Sequence, residues 1–149
     1  MQNIRPASAS DVSRIAEIMI FNNRVNFYPI FQCDEYSFGE LQVTTLAQEY
    51  LEKAEMLGNT YVYDDGIVRG YIRVNGDELH QLYVDTFFQN RGIGEKLLRF
   101  AVEDRGIKWL WALEKNTGAI RFYERHGFHM TDIKIFEEGT TEYLVRMEL

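Results

Sequence analysis

The stretch ELHQLYVDTFFQNRGIGEKLLRFAVEDRG, residues 78–106, limits what this chain can become more than any other. It reads as a strand ending at Val84, a loop containing Gly92 and Gly94, and an amphipathic helix closed by Gly106. Ile93, Leu97, Leu98, Ala101 and Val102 recur at helical spacing and give that helix one apolar face. A strand passing through glycines into a helix is a way of holding an anion. Small residues admit the ligand to the backbone, and the first amides of the helix lack internal partners. The macrodipole adds roughly half a positive charge. Two familiar phosphate loops are excluded by spacing. A Walker loop needs Lys and then Ser or Thr directly after its last glycine, whereas Glu95 and Lys96 follow Gly94. A dinucleotide fingerprint needs Gly or Ala where Leu97 stands, and no βαβ unit opens before it. What remains is Gln89-x-x-Gly92-x-Gly94, with Arg91 available as a charged contact. The glycines alone fit equally well a turn that only joins a strand to a helix.

The rest of the chain surrounds this unit with alternating elements. NIRPA is a short strand, and SASDVSRIAEIMIFNNR a helix with Ser10 or Asp11 as its cap. VNFYPIFQCDEYSF is aromatic-rich and reads as irregular. A second helix spans residues 39–58, with Leu46, Tyr50, Leu51 and Ala54 as its stripe and Gly58 as its C-terminal cap. TYVYDDGIVRGYIRV is a hairpin turning at Asp65-Gly66, IKWLWAL a strand, and NTGAIRFYERHG a short helix. The last stretch is a hairpin turning at Glu138-Gly139. The order is β-αα-βββ-α-β-α-ββ. It predicts an α/β (α+β) fold, with a mixed, mostly antiparallel sheet of about seven strands and helices on both faces. With 149 residues and no linker or repeat, residues 1–149 form a single domain.

Composition narrows the function classes. A net charge of −7 argues against a nucleic-acid partner, which a basic face would have to serve. No apolar run approaches the roughly 18 residues that cross a bilayer, so no membrane partner is expected. MQNIRPASASD lacks the regions of a signal peptide, and a lone Cys33 gives neither an internal disulfide nor a metal cluster. These features predict a cytoplasmic protein without a metal.

ELHQLYVDTFFQNRGIGEKLL resembles the acetyl-CoA-binding motif of the GNAT superfamily, the GCN5-related N-acetyltransferases, in its small single-domain bacterial form. The family pattern of Gln or Arg, two residues, Gly, one residue, Gly or Ala is met by Gln89 to Gly94. Leu82-Tyr83-Val84 is similar to the strand that pairs with the pantetheine arm. Thr86 departs from the proline frequent in the family, which bears on loop stiffness rather than on the anion site. Downstream, LEKNTGAIRFYERHGF is similar to the next motif, an Asn ending a strand and a helix carrying FYER.GF.

The resemblance implies an acetyl-CoA-dependent N-acetyltransferase acting on a primary amine of a small molecule, peptide or protein, by direct attack in a ternary complex. A non-catalytic acyl-CoA sensor is the alternative. It implies cofactor contacts from Leu82, Tyr83 and Val84 and from Gln89, Asn90, Arg91, Gly92, Ile93, Gly94 and Glu95. Asn116 and Tyr123 complete that set. Tyr123 matches the general acid, and the Val84 N–H the oxyanion donor. For the base, Glu78 matches the position of a carboxylate in histone-acetylating relatives, while His80 carries the side chain better suited to titrate near neutrality. Water is a third route. Strand alternation puts Glu78, His80, Leu82 and Val84 on one face, unless a bulge intervenes. The acceptor is expected past Phe27, Tyr28 and Phe31, where aromatic rings and nearby carboxylates suit a cationic amine. A homodimer is left open.

Overall fold

The computed structural model describes residues 3–149. A short strand, β1 (Ile4–Pro6), leads into α1 (Val12–Asn22). Of the two cap candidates, Asp11 directly precedes α1, but its carboxylate reaches backward. It accepts from the Ser8 amide at 2.8 Å and from the Arg5 guanidinium at 2.8 and 2.9 Å. Ser10 bonds the Ser8 hydroxyl instead of capping.

The aromatic stretch expected to be irregular is wound into helix. Wide π turns at Asn23–Phe27 and Glu35–Glu40 flank α2 (Tyr28–Phe31). Proline is tolerated here because Pro29 lies in the first turn of α2, where its missing N–H is not needed. Side chains join the two π turns. The Ser37 hydroxyl donates to Asn23 Oδ1 at 2.9 Å, and Arg24 Nε donates to the Ser37 carbonyl at 3.0 Å.

The second predicted helix is two, α3 (Val43–Glu52) and α4 (Ala54–Gly58), broken at Lys53 (φ −107°, ψ 86°). Leu46, Ala47 and Tyr50 are its inward stripe, while Leu51 is 49% exposed and Ala54 faces solvent. Gly58 ends α4 without a left-handed turn, because the chain runs straight through Asn59 into β2 (Thr60–Asp64). Thr60 Oγ1 donates to the Met56 carbonyl at 2.8 Å, occupying one of the last helical acceptors.

β3 (Val68–Asn75), β4 (Glu78–Val84), α5 (Ile93–Arg105), β5 (Trp109–Leu113), α6 (Thr117–Arg125), β6 (His129–Phe136) and β7 (Tyr143–Glu148) follow as expected. The seven strands form one sheet in the order β1-β2-β3-β4-β5-β7-β6. Among the described residues only β4 and β5 run parallel. Two cores fill its faces. One packs Leu97, Leu98 and Ala101 of α5 and Ile120 of α6 on Ile72, Val84 and Leu110. The other packs Ile15 and Ile18 of α1 and Tyr50 of α3 on Val62 and Tyr71. Each fully buried side chain of this size contributes roughly 1.5–3 kcal/mol.

Candidate active site

The site begins where the sheet comes apart. β4 and β5 pair only at Glu78↔Trp109 and Leu79↔Leu110. Beyond that point β4 stays with β3 as far as Val84, and β5 stays with β7 as far as Leu113. A gap opens between them, lined by strand backbone with no neighbour.

A bulge sits at the branch point. Arg73 pairs with Gln81 and Val74 with Leu79, so His80 is the extra residue on β4. A bulge bends and twists its strand, and here it flips the side-chain alternation. The expectation that Glu78, His80, Leu82 and Val84 share a face is therefore corrected. Leu79, Leu82 and Val84 pack toward α5. Glu78 and His80 stay together, with 3.7 Å between His80 Nδ1 and Glu78 Oε2. Tyr83 packs toward α1 and α3. His80 borders a cavity on that side with Asn59 and Arg73.

Val84 is held in place at the gap by several hydrogen bonds. The Asp85 N–H donates to the Arg69 carbonyl of β3 at 2.9 Å, and alternation along the strand turns the Val84 N–H the other way, into the gap. Its carbonyl accepts two side-chain amides, Asn22 Nδ2 at 3.0 Å and Gln89 Nε2 at 3.2 Å. Sequence reasoning did not single out Asn22. The signal was present: Asn22 continues the Ile15–Ile18 stripe at helical spacing, so a polar side chain stood on an apolar face. It is 3% exposed and also donates to the Ile18 carbonyl at 2.9 Å. Gln89 was assigned to the cofactor motif, and its side chain braces the strand end.

Beyond Gln89 the loop rises through two left-handed residues, Asn90 (φ 63°) and Gly92 (φ 81°), into α5. The two glycines are needed for different reasons. Gly92 supplies a backbone angle that side chains disfavour, with open space around it. A Cβ on Gly94 would lie 3.5 Å from the Phe122 ring and 3.7 Å from Val84 Cγ2, in ordinary contact. Gly94 thus packs the start of α5 against α6. The first amides of α5 open beside this loop, and Arg91 lies over the Phe88 ring at 5.4 Å. Glu95 pairs with Arg99 at 3.1 Å, which directs its side chain along the helix.

On the far side of the gap, the side-chain oxygen of Asn116 accepts from the Ala119 N–H at 3.3 Å and caps α6. Its amide nitrogen is available to meet a ligand. Tyr123 stands edge-on to Phe122 and Phe128, with centroids at 5.3 and 5.9 Å. Burial pushes its phenol above the ordinary tyrosine range. Burial also raises the phenol of Tyr83, and the neighbouring Tyr123 adds to the effect.

Of the acceptor candidates, Phe27 reaches the site, edge-on to Tyr83 at 6.3 Å. Tyr28 turns to Phe38 at 5.1 Å and donates to Asp34, so ring and carboxylate are engaged with each other. Phe31 is half-buried at the end of α2. Cys33 is exposed.

A seven-stranded sheet splayed between its one parallel pair, with a glycine-loop helix at the opening, defines an acetyltransferase fold. A family model described as "Acetyltransferase (GNAT) domain" matches residues 57–130. The chain belongs to the GNAT superfamily. An uncharacterised N-acetyltransferase of Methanocaldococcus jannaschii is 41% identical over 61 residues, 38% of this chain and 27% of that protein. The peptidyl-lysine N-acetyltransferase YiaC of Escherichia coli is 31% identical over 70 residues, 46% of this chain and 48% of that protein. The chain thus spans less than half the length of each of these two relatives. Among solved structures, the PaiA N-acetyltransferase of Thermoplasma acidophilum in complex with coenzyme A is similar in fold, with a TM-score of 0.69 at 20% identity. That likeness covers 98% of both chains.

Among the described residues no helix is long and apolar enough to cross a membrane.

Proposed function

We propose that this chain is an acetyl-CoA-dependent N-acetyltransferase that acetylates a primary amine by direct attack. The observation that carries the reading is the gap between β4 and β5, with the Val84 N–H facing it and Tyr123 packed on the same core as Val84. The residues fit coenzyme A. The α5 N-terminus and loop 89–95 would hold the pyrophosphate, Leu82 to Val84 the pantetheine arm, and the amide nitrogen of Asn116 its far side. When bound, the cofactor supplies an activated acetyl thioester.

The protein's part is positioning, charge stabilisation and proton handling. A neutral amine attacks the thioester carbonyl, forming C–N as C–S breaks. The Val84 N–H donates to the oxygen as charge builds there, a fixed donor that needs no reorganisation. Asn22 and Gln89 hold that peptide in place through its carbonyl. Tyr123 donates to the departing sulfur. A phenol raised by burial keeps its proton through neutral pH and delivers it only as the thiolate develops. The ammonium loses its proton to Glu78, to His80 or to water. Because Glu78 and His80 lie together on the α3/α4 side, the amine approaches from that side.

The direct test is thiol release from acetyl-CoA across polyamines, amino acids, aminoglycosides and peptides. Acceptor-dependent release is expected. A folded protein that binds acetyl-CoA and releases no thiol with any acceptor would favour the sensor. Rate–pH profiles of Glu78→Gln and His80→Gln separate the bases: the variant that loses the acidic limb identifies the group that takes the proton.

A further inference from the structure

We infer that the acceptor carries an anionic group, a carboxylate or a phosphate, which seats on Arg73; the inference rests on the transferase reading for its amine end and on Arg73 for its anionic end. A cavity of about 210 Å³ lies between α1, α3 and the β3–β4 face, bordered by Met19, Leu46, Tyr50, Met56, Arg73 and Gln81. A wider one of about 480 Å³ adjoins it, and Arg73 and Met56 border both. Arg73 therefore stands between the two cavities.

Its charge is not matched by the protein. Arg73 Nη1 donates to the Tyr50 hydroxyl at 3.2 Å, and the guanidinium lies 5.7 Å from that ring. Among the described residues no carboxylate forms an ion pair with it. Glu49 also borders the smaller cavity but pairs with Lys53 at 3.0 Å. Opposite Arg73 on the next strand is Gln81, whose Oε1 accepts from the Tyr71 hydroxyl at 2.9 Å, leaving its NH₂ as a second donor. A half-buried guanidinium, an amide and a phenol beside methionine and leucine walls suit an aliphatic chain ending in an anion.

Gln81, which borders the smaller cavity, lies on the strand that runs to Val84. Tyr83, two residues beyond Gln81, lies 5.8 Å from the Tyr71 ring, whose hydroxyl binds Gln81, and 6.3 Å from the Phe27 ring. From Gln81 to Val84 the strand rises about 10 Å. The amine and the anion of the acceptor are therefore separated by several bonds, as in aminohexanoate, lysine reacting at its side chain, or a short peptide reacting at its N-terminus.

The test compares acceptors with the same amine and different ends: aminohexanoate with hexylamine, aminohexyl phosphate with aminohexanol, and a tripeptide with its C-terminal amide. The anionic member of at least one pair is expected to show a kcat/KM at least ~10-fold higher, about 1.4 kcal/mol. The carboxylate and phosphate arms identify which anion is read. Gln81→Glu, which sets a carboxylate opposite Arg73 with little change of shape, is expected to abolish that advantage, read as the ratio of kcat/KM within each pair. Arg73→Gln is expected to do the same, with Arg73→Lys restoring part. Equal rates within every pair, or an advantage that survives Gln81→Glu and Arg73→Gln in folded protein, would overturn the inference. Calorimetry with the same compounds, without acetyl-CoA, separates the two readings. Arg73-dependent binding of the anionic member without turnover would refute the transferase reading and uphold the anion site.

Discussion

The two ends of the gap are built in different ways. At the cofactor end, a run from Val84 to Glu95 supplies nearly everything: a strand terminus, two left-handed residues and the opening of α5. Most of the implied contacts are backbone groups set by local conformation. At the end we propose for the acceptor, Phe27, Arg73, Gln81 and the Glu78–His80 pair come from separate segments, placed by a bulge and a folded-over helical stretch. One end is a local motif and the other is a tertiary assembly. Substitutions should divide accordingly, with cofactor-end changes moving affinity for acetyl-CoA and acceptor-end changes moving selectivity.

Tyr123 should give the largest effect. Tyr123→Phe keeps the packing on Phe122 and Phe128 and removes only the hydroxyl proposed as proton donor. A loss of about 100-fold or more in kcat is expected, with little change in affinity for acetyl-CoA. The pH dependence has a definite sign. Because burial raises the phenol, the donor stays protonated through neutral pH and fails only above the ordinary tyrosine range. Steady-state rates from neutral pH up to about pH 10 should show no alkaline loss that disappears in Tyr123→Phe. Unchanged turnover in that variant would remove Tyr123 from the chemistry.

Next in size is a contrast within the cofactor end. Gly92→Val forces a β-branched residue to φ 81°, at roughly 1–2 kcal/mol. Coenzyme A affinity measured by calorimetry should fall about 10-fold. Gly94→Ala adds a methyl in ordinary contact with Phe122 and Val84 and should bind nearly as wild type. Equal losses at both positions would mean that the loop admits the phosphate by bareness rather than by backbone angle.

Asn22 links the two ends, since α1 precedes the acceptor-side π turns and its side chain holds the Val84 carbonyl. Asn22→Ala leaves Gln89, among the described residues, as the side-chain donor to that oxygen and should cost about 1–3 kcal/mol in chemical denaturation. If Val84 is the oxyanion donor, kcat falls while the KM for acetyl-CoA holds. A fall in stability with kcat intact would make Asn22 a purely structural residue.

How far the sequence could be read follows the same division. Gly92, Gly106 and Gly139 mark their turns by the need for a left-handed residue, and Leu97, Leu98 and Ala101 mark a helix face by period. Both are local signals. The bulge at His80 has none. It arises from how β4 registers against β3 at the point where β5 departs, and it moves both base candidates off the face that simple alternation predicts. The helical winding of residues 23–40 was hidden for a similar reason. It depends on Asn23 meeting Ser37 and on Arg24 reaching the Ser37 carbonyl, partners well apart in the chain. Leu51 looked like core because the stripe was extended through Lys53, where the helix in fact breaks.

The smallest effect belongs to a site touching neither end, which makes it the control for the comparison. Asp11 accepts from Arg5 and from the Ser8 amide, and the guanidinium holds its carboxyl below the ordinary range. The sign follows by linkage. A carboxyl depressed on folding contributes stability that is complete above its unfolded value of about 4 and is lost as pH falls through the folded value. Arg5 is partly exposed and its charge is screened, so the contribution is about 1 kcal/mol. Asp11→Asn should therefore lower the melting temperature by a few degrees at neutral pH, and by progressively less below pH 4. Acetyl-CoA affinity and acceptor selectivity should both stay at wild-type values. A change in either would show that the N-terminal segment reaches the gap, through α1 and Asn22, and that the two ends are mechanically joined rather than separately built.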